Sequence, residues 1–421
     1  MKDFWKEPKE TKEKKVNKKK VIITIIAIII TLFLIIISAI YINNKNVRLW
    51  IDKNIFRKEV IQNNLPTIEL NESDTQNIYA FNKYIGVLSK NQFAIYDNSG
   101  KKQDELNIEI TKPIFNSNGR HLVIAEEKGQ KVYLITDKGI AWEKSIEGNI
   151  SQVEVNKNGY VAITIVDTIN KTVVAVYDNT GNWLFNNILS TTRVVSTSLS
   201  NDNKYLALAE IDTSGTQIQS SIKVMSIEEG KNNPSNSIKK VYNSEKGDLI
   251  TQIKYQEKDK LLCMYTDKID VIKTDETTET ISENKDKKVS FTSISLSNSA
   301  VMLEEKSSGL FTADSIVSII NPDNKNISTY TTEAVTKEIY TYDNIIGLNL
   351  GAEVEFINTS GWLVKKYTAE QEITNIVLSS SMAGIVYRDK IELINLGWLI
   401  VFKRSPSDIV ASNCIFPSYL S

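Results

Sequence analysis

The stretch VAVYDNTGNWLF, residues 174–185, joins a β-branched run to an Asp-x-x-Gly turn and an early Trp. Seven similar stretches are FAIYDNSGKK (93–102), VYLITDKGIAW (132–142), IKVMSIEEGKN (222–232), IDVIKTDETTE (269–279), VSIINPDNKNI (317–327), VEFINTSGWLV (354–364) and IELINLGWLIV (391–401). Neighbouring copies are 35 to 50 residues apart. A repeat of about 40–45 residues is typical of a β-propeller blade.

Each repeat contains sequence for about four short strands. In the second repeat these are residues 111–115, HLVIAE (121–126), KVYLIT (131–136) and AWEKSI (141–146). The turns between them contain Asn, Asp and Gly, which supply the Asx hydrogen bonds and positive φ angles that tight turns need. The sequence therefore predicts an all-β fold over residues 73–405: an eight-bladed, alternatively seven-bladed, β-propeller of four-stranded antiparallel blades.

Two features of the predicted ring have alternative interpretations. Trp142, Trp183, Trp362 and Trp398 follow the turn in four repeats, where we expect large rings to fill the space between blades, a sugar-stacking platform being the alternative. Ring closure needs a strand that completes the last blade, because an open propeller leaves unpaired edges. TIEL (67–70) and residues 406–421 are both candidates for that strand.

The N-terminal part of the chain has the pattern of a membrane anchor. Residues 21–42 contain no charged residue, and a helix of this length reaches ~33 Å, enough to cross a bilayer. Residues 1–20 contain nine Lys against four acidic residues, so the positive-inside rule places them in the cytoplasm. We expect a basic tail (1–20), a transmembrane helix (21–42), a juxtamembrane helix or stalk (43–72), an extracytoplasmic propeller and a C-terminal tail (406–421). A cleaved signal peptide is the alternative.

Composition excludes several functional classes. His121 is the one histidine, and Cys263 and Cys414 are the two cysteines, so a zinc site of the usual His and Cys ligands is not expected. The charges are balanced, with 50 basic and 51 acidic residues and no basic stripe, which argues against nucleic-acid binding. Neither a Walker A motif nor G-x-G-x-x-G is present. We therefore predict no catalytic residue, no cofactor and no metal, with Cys263 a small core residue.

Loop lengths suggest where a partner binds. The connections between second and third strands are longest in the third, fourth and sixth repeats and nearly bare hairpins in the fifth and eighth. Long loops in compact folds are often functional, although neutral drift explains them equally well. The predicted contact residues are Asp212, Gly215, Glu304, Glu305 and Phe311.

The second, third and seventh repeats resemble the blades of quinoprotein-like propellers, including the outer-membrane-assembly lipoproteins built on that repeat. The resemblance rests on the apolar strand, the Asx turn, the Gly and the early Trp of residues 132–142, 174–185 and 354–364. The overall layout is similar to an uncharacterised clostridial family of membrane-anchored propellers. This resemblance implies the architecture alone, because no repeat carries the metal-binding constellation of the quinone enzymes.

The expected function is that of a non-catalytic scaffold at the cell envelope. In this prediction one loop face of the anchored ring binds an envelope protein or a cell-wall polymer, and the oligomeric state stays open. The alternative is an envelope glycan hydrolase or lyase that uses carboxylates near the central channel. Converging acidic side chains in one deep pocket would favour the enzyme, whereas an apolar or hydroxyl-lined channel would favour the scaffold.

Overall fold

The computed structural model describes residues 65–71, 76–166, 172–257, 260–273, 276–283, 288–307, 313–332 and 334–396, and six helical residues between 26 and 36. Residues 1–60 and 61–421 form two separate units. Within the described residues no helix combines the length and the apolar composition needed to cross a bilayer. The predicted tail (1–20), most of the predicted span (21–42), residues 43–64 and residues 397–421 lie outside the described part, so these assignments stay predictions.

The described strands form eight four-stranded antiparallel sheets, which we number as blades 1 to 8 in chain order. The first strand of the chain is β1 (Thr67–Glu69). Blade 1 contains β2 (Gln76–Phe81), β3 (Tyr84–Ser89), β4 (Gln92–Tyr96) and β5 (Lys102–Asn107). Blade 2 contains β6 (Pro113–Asn118), β7 (His121–Glu126), β8 (Lys131–Thr136) and β9 (Gly139–Ser145). Blade 3 contains β10 (Asn149–Val155), β11 (Val161–Val166), β12 (Thr172–Tyr177) and β13 (Trp183–Leu189).

The second half of the ring repeats this arrangement. Blade 4 contains β14 (Arg193–Leu199), β15 (Tyr205–Asp212), β16 (Gln219–Ser226) and β17 (Ile238–Asn243). Blade 5 contains β18 (Ile250–Tyr255), β19 (Leu261–Tyr265), β20 (Lys268–Ile272) and β21 (Thr278–Glu283). Blade 6 contains β22 (Val289–Ser293), β23 (Ala300–Ser307), β24 (Ala313–Ile320) and β25 (Ile327–Thr332). Blade 7 contains β26 (Glu338–Tyr342), β27 (Ile345–Asn349), β28 (Glu353–Asn358) and β29 (Leu363–Thr368). Blade 8 contains β30 (Asn375–Leu378), β31 (Met382–Val386) and β32 (Lys390–Asn395).

The N-terminal strand β1 completes blade 8. Its residues pair antiparallel with β32, Ile68 opposite Ile391, so the sheet order is β1-β32-β31-β30. The backbone N–H of Leu70 donates to the carbonyl of Asp389 at 2.7 Å and extends this pairing. Of the two candidate closing segments, TIEL therefore takes the outer-strand position. The last blade is built from both ends of the described propeller, and the eight-bladed prediction is confirmed over the seven-bladed one.

Apolar residues pack between the blades rather than in one central core. Eight clusters of buried side chains each lie between two neighbouring blades, and the cluster between blades 8 and 1 contains Ile68, Val87 and Ile391. Cys263 is fully buried in the cluster between blades 4 and 5, as predicted. Because strand residues alternate between the two faces of a blade, every blade contributes to two clusters. The packing is therefore continuous around the ring.

An Asx turn precedes the outermost strand in blades 1, 3 and 7. In blade 3 the Oδ1 atom of Asp178 accepts hydrogen bonds from the N–H groups of Thr180 (2.8 Å) and Asn182 (2.9 Å). Gly181 takes a φ of 84°, which few other residues adopt. The same pair of bonds recurs at Asp97 and Asn358. The turn that the sequence indicated is thus present, and the side chain of its first residue holds it.

The turn glycine also lies against the outermost strand of the preceding blade. A Cβ atom built on Gly181 would lie 2.9 Å from Cγ of Trp142, in β9. The corresponding neighbours of Gly100 and Gly361 are the carbonyl oxygens of Thr67 (2.5 Å) and Thr329 (2.8 Å). Such short distances leave no room for a side chain. The glycine therefore permits close contact between neighbouring blades as well as the tight turn.

Two sequence interpretations differ from the structure. In blade 4 the connection between β16 and β17 is a short helix, α1 (Ile227–Asn232), because Ser226 caps it by accepting from the N–H of Glu229 at 3.3 Å. The tryptophans also do not share one position. Trp142 is buried between blades, whereas Trp183 and Trp362 are 59% and 56% exposed. The outermost strand of each of these three blades has a bulge, and Trp142 lies after it, whereas Trp183 and Trp362 lie before it. Of these three, Trp142 has the predicted filling role, and Trp398 lies outside the described residues.

We call the two ends of the ring the a–b face, which carries the connections between first and second and between third and fourth strands, and the b–c face, which carries all others. On the a–b face, hydrogen bonds join the turns of successive blades, and one further bond joins blade 7 to blade 2. The bonded pairs are Asn82 with Gly119, His121 with Lys157, Asn158 with Asn201, Asn201 with Gln256, Glu257 with Ser297, Ser297 with Asp343, and Tyr342 with Gly119. These bonds tie the a–b face together from blade 1 through blade 7.

His121 belongs to this set of contacts, and we expect it to make the stability of the protein depend on pH. Its pKa is lowered from 6.5, chiefly because burial disfavours the charged ring. Below pH 6.5 the unfolded chain therefore takes up a proton that the folded chain does not, and stability falls as the pH decreases towards the lowered pKa. We expect the melting temperature of the wild type to drop more between pH 7 and pH 5 than that of His121→Gln. Circular dichroism measures both melting temperatures. An equal drop in the two proteins would show that His121 does not cause the pH dependence.

Candidate binding site

The innermost strands form the wall of the central channel and are of two kinds. In blades 3 to 6 the first strand carries a β-bulge near its start, between Ile150 and Gln152 in blade 3. The bulged Ser151 and Thr251 donate their hydroxyl protons to carbonyls of the adjacent strand, both at 3.1 Å. The first strands of blades 7, 8, 1 and 2 pair without a bulge. The channel wall is thus half bulged and half straight.

In the bulged half, side chains of one inner strand bond to the backbone of the next. The hydroxyl of Ser198 accepts from the N–H of Tyr255 at 2.8 Å, and Asn116 accepts from the N–H of Val155 at 3.1 Å. The side-chain amide of Gln152 donates to the carbonyl of Val195 at 2.9 Å. Backbone groups on the open edge of an inner strand need such partners. These bonds link the inner strands of neighbouring blades from blade 2 to blade 5.

The straight half leaves a cavity of about 560 Å³, which we call the channel cavity. Consecutive residues of β2 (77–80), β26 (339–342) and β30 (375–378) line it, so these strands present their edges to it. From β6 the alternate residues Phe115 and Ser117 contribute side chains. The described lining residues include no charged side chain.

A hydrogen bond across the channel bounds this cavity on the a–b face. The Tyr342 hydroxyl of blade 7 accepts from the N–H of Gly119 in blade 2 at 3.0 Å. Blades 8 and 1 lie between these two blades, so the bond spans the part of the channel in front of them. Asn77 and Asn375 lie near the start of their strands, at the opposite end. The amide side chains are therefore on the b–c face of the channel cavity.

A second cavity of about 420 Å³ lies against the inner strands of blades 2 to 5. Glu154 of blade 3 and Lys254 of blade 5 face each other here, with Oε1 and Nζ 3.7 Å apart and side chains 13% and 19% exposed. Burial raises the pKa of the Glu154 carboxyl, while the nearby ammonium group of Lys254 acts in the opposite direction. Glu154 is the one carboxylate among the described residues that line the two cavities.

The b–c face is uneven around blade 5. The strands β15, β16, β23 and β24 have eight residues each, whereas β19 and β20 have five. The bulge of the first strand lies opposite Glu210 in blade 4, Tyr265 in blade 5 and Glu304 in blade 6, so these three residues are equivalent. Counted from them, the hairpins of blades 4 and 6 extend at least two residues, or roughly 7 Å, further than the hairpin of blade 5. We call the depression between them the blade-5 notch.

The floor of the blade-5 notch carries charged groups. Lys268 forms an ion pair with Asp248, Nζ to Oδ2 2.8 Å, and lies over the ring of Tyr265 at 4.7 Å from its centroid. The hydrogen bond to Asp248 raises the pKa of Lys268. The Oδ1 atom of Asp267 is buried without a hydrogen-bond partner among the described residues. This arrangement offers fixed charges and an aromatic ring on an otherwise short hairpin.

The predicted contact residues fall on both walls of the notch. Asp212 is the last residue of β15, and Gly215 is exposed in the loop that follows. The prediction that Glu304 and Glu305 lie in a loop is wrong. They belong to β23, which extends to Ser307, and they pair with Ile316 and Ser315. Phe311 lies outside the described residues, so its assignment stays a prediction.

Sequence reasoning did not identify the notch floor or the channel residues. The floor has a signal in Tyr-x-Asp-Lys-Ile followed by an acid, which occurs at residues 265–270 and again at 387–392. In the second copy Lys390 bonds to Glu392 at 2.6 Å and lies over Tyr387. Phe115 lies in a first strand with few apolar neighbours, PIFNSN, and no pattern marked it as a channel residue.

Comparison with known proteins agrees with this architecture. The C-terminal WD40 domain of Sif2 matches with a TM-score of 0.51 and 10% identity, over 78% of this chain and 98% of that one. The dihydro-heme d1 dehydrogenase NirN in complex with DHE matches with a TM-score of 0.50 and 11% identity, over 80% and 74%. BamB from Moraxella catarrhalis gives 0.48 and 12% identity, over 80% and 100%. At these identities the first two matches show the β-propeller fold alone.

The sequence of the chain was also compared with curated proteins and with models of protein families. No curated protein is significantly similar to the chain. A family model, however, matches residues 57–396, which include β1 and all the blades described above. The chain therefore belongs to the family described as "Family of unknown function (DUF5711)".

Proposed function

We propose that this protein is a single-pass membrane protein whose propeller lies outside the cytoplasm and acts as a non-catalytic scaffold. In this proposal the blade-5 notch binds an envelope protein or a cell-wall polymer. The observation that carries it is the contrast between the two faces. Hydrogen bonds join the turns of the a–b face, whereas the b–c face has two projecting hairpins around a low, charged floor. A regular scaffold with longer hairpins at one place on its surface is typical of a binding protein.

The anchor and its orientation are proposed from sequence. The apolar residues 21–42 have the length of a membrane span, and the Lys-rich residues 1–20 favour a cytoplasmic N-terminus. The anchor would keep the propeller near the outer leaflet, so the propeller would recruit its partner to the membrane surface. The proposal needs no cofactor, metal or catalytic group.

Crosslinking from the notch tests the proposal. In a variant with Cys414→Ser, a cysteine placed by Gly215→Cys is expected to react with an impermeant thiol reagent on intact cells, because Gly215 is exposed. A photocrosslinker attached there should capture a protein or sediment with wall polymer. The same photocrosslinker attached to Glu305→Cys, on the opposite wall of the notch, should lose both results when residues 212–219 are replaced by a two-residue turn.

The matched control carries its probe at Asn98, which is also exposed but lies in a turn of the a–b face. We expect no capture from that position. Equal capture from Gly215 and Asn98, or capture that persists in the shortened hairpin, would remove the support for the notch. Failure of the reagent to reach Gly215→Cys in intact cells would contradict the extracytoplasmic orientation.

The alternative function is an envelope glycan hydrolase or lyase. Glycosidases of the common kind need two carboxylates about 5–9.5 Å apart, and Glu154 has Lys254 as its charged neighbour. This pairing favours the scaffold over the enzyme. Release of sugar from purified wall by the protein, abolished in Glu154→Gln, would favour the alternative.

A further inference from the structure

The channel cavity has the size of a small-molecule site. Its volume of about 560 Å³ falls within the range of about 300–1,000 Å³ that is common for ligand pockets. Such pockets combine apolar and aromatic walls with a few polar groups that fix orientation. The channel cavity has both kinds of group.

Phe115 gives the cavity an exposed aromatic ring. It belongs to an innermost strand, yet it is 54% exposed. Tyr79 packs against it edge-to-face, with ring centroids 4.7 Å apart and planes at 70°. Tyr79 is itself 2% exposed and therefore holds the Phe115 ring in place from one side. More than half of the Phe115 surface remains open to the channel, where a ligand ring can stack.

The polar groups of the cavity are uncharged and come from several directions. The side-chain amide of Asn77 bonds to no other described residue. Asn375 is exposed, and its Oδ1 atom accepts from the N–H of Ile376 at 2.8 Å, which leaves its NH₂ group to donate to a ligand. The hydroxyl of Tyr79 is buried and has no hydrogen-bond partner in the described part of the chain. The edges of β2, β26 and β30 add backbone N–H and C=O groups, since an edge strand leaves alternate groups unpaired.

We propose that the channel cavity binds a neutral oligosaccharide. A sugar ring presents an apolar face that stacks on an aromatic ring such as Phe115, and hydroxyl groups around its rim that both donate and accept. Groups of this kind can bond to amides and strand edges on three sides of the cavity. The backbone of an extended peptide bonds to two strand edges, so groups on the third side of the cavity would depend on the peptide's side chains. Lack of charge in the described lining disfavours an ionised ligand.

This site goes beyond the scaffold proposal and does not depend on it. The notch is formed by hairpins of blades 4 to 6, whereas the channel cavity is lined by blades 7, 8, 1 and 2. Loss of sugar binding with notch crosslinking intact would overturn the channel proposal alone. Loss of notch crosslinking with sugar binding intact would overturn the scaffold proposal alone.

The test is titration of the full chain, held in a detergent without a sugar headgroup, by calorimetry and saturation-transfer NMR. The probes are tri-N-acetylchitotriose, cellotriose and laminaritriose, with trigalacturonic acid and a Ser-Thr-Gly-Tyr peptide as comparisons. We expect at least one neutral trisaccharide to bind, Phe115→Ala to weaken it at least about tenfold, and Phe115→Tyr to restore it.

Trp183→Ala is the matched control, because Trp183 is 59% exposed but begins the outermost strand of blade 3. It should leave the affinity unchanged, and the melting temperature of each variant reports whether the ring stays folded. Absence of binding by every neutral trisaccharide to the folded wild type would overturn the proposal. So would tighter binding of the peptide or of trigalacturonic acid, or sugar binding that survives Phe115→Ala.

Discussion

The substitution Ile68→Asp is expected to open the ring, lowering the free energy of unfolding by about 4 kcal/mol. Ile68 is 2% exposed and packs with Val87 and Ile391 where blades 8 and 1 meet. An aspartate there must either bury a charge without a partner or detach β1 from β32. Since β1 has three residues, detachment is the smaller disruption, and it leaves the edge of β32 unpaired.

Urea unfolding measures the loss of stability, and hydrogen exchange locates it. The backbone amides of Lys390–Leu393 that point towards β1 should lose protection first, because Lys390–Glu392 pair with β1 and Leu393 donates to the carbonyl of Pro66. Glu69→Asp is the control: it introduces the same side chain at an exposed position of the same strand, opposite Lys390, and should change stability by about 0.5 kcal/mol or less. Unchanged stability and protection in Ile68→Asp would favour the other predicted closing segment, residues 406–421.

The second large effect is expected at Gly100, in the turn that contacts β1. Its φ is 78°, and a Cβ atom would lie 2.5 Å from the carbonyl oxygen of Thr67. Gly100→Ala therefore adds a steric overlap with the closing strand to the strain of a left-handed conformation, and should cost about 3 kcal/mol. The melting temperature and the urea midpoint both report this loss.

Gly247→Ala separates the two contributions. Gly247 has a φ of 94° and no atom within 4 Å of its Cβ position, so the substitution should cost about 1 kcal/mol from conformation alone. The effect of Gly100→Ala should also shrink in an Ile68→Asp background, because β1 is already displaced there. Full additivity of the two substitutions would show that Gly100 does not act through the closing strand.

The sequence predicted those parts of the fold that depend on neighbouring residues. The Asx turns at Asp97, Asp178 and Asn358 are closed by bonds spanning two to four residues, so a short motif suffices to identify them. The helix α1 also has a local signal, Ser226 with Glu229, which a repeat-based reading overlooked. Strand alternation and the repeat length then indicated the number of blades.

The candidate sites were predicted less completely. The longer hairpins of blades 4 and 6 were visible as longer sequence, but their extension into paired strands was not, so Glu304 and Glu305 were assigned to a loop. Trp183 and Trp362 were expected to be buried because they follow the same motif as Trp142. Each of these outer strands has a bulge of one residue, and Trp142 lies after the bulge whereas the other two lie before it. The motif does not specify on which side of the bulge the Trp lies, and therefore does not specify which face of the strand it occupies.

By itself the sequence determined the eight units, their turns and the apolar residues between them, because these follow from bonds and periodicities within about ten residues. Only the tertiary structure decided that Thr67–Glu69 completes the last blade, that Phe115 is exposed in the channel, and that two hairpins flank a notch. Each of these features joins residues that are distant along the chain. Their positions depend on how the blades close into a ring, and no local pattern contains that information.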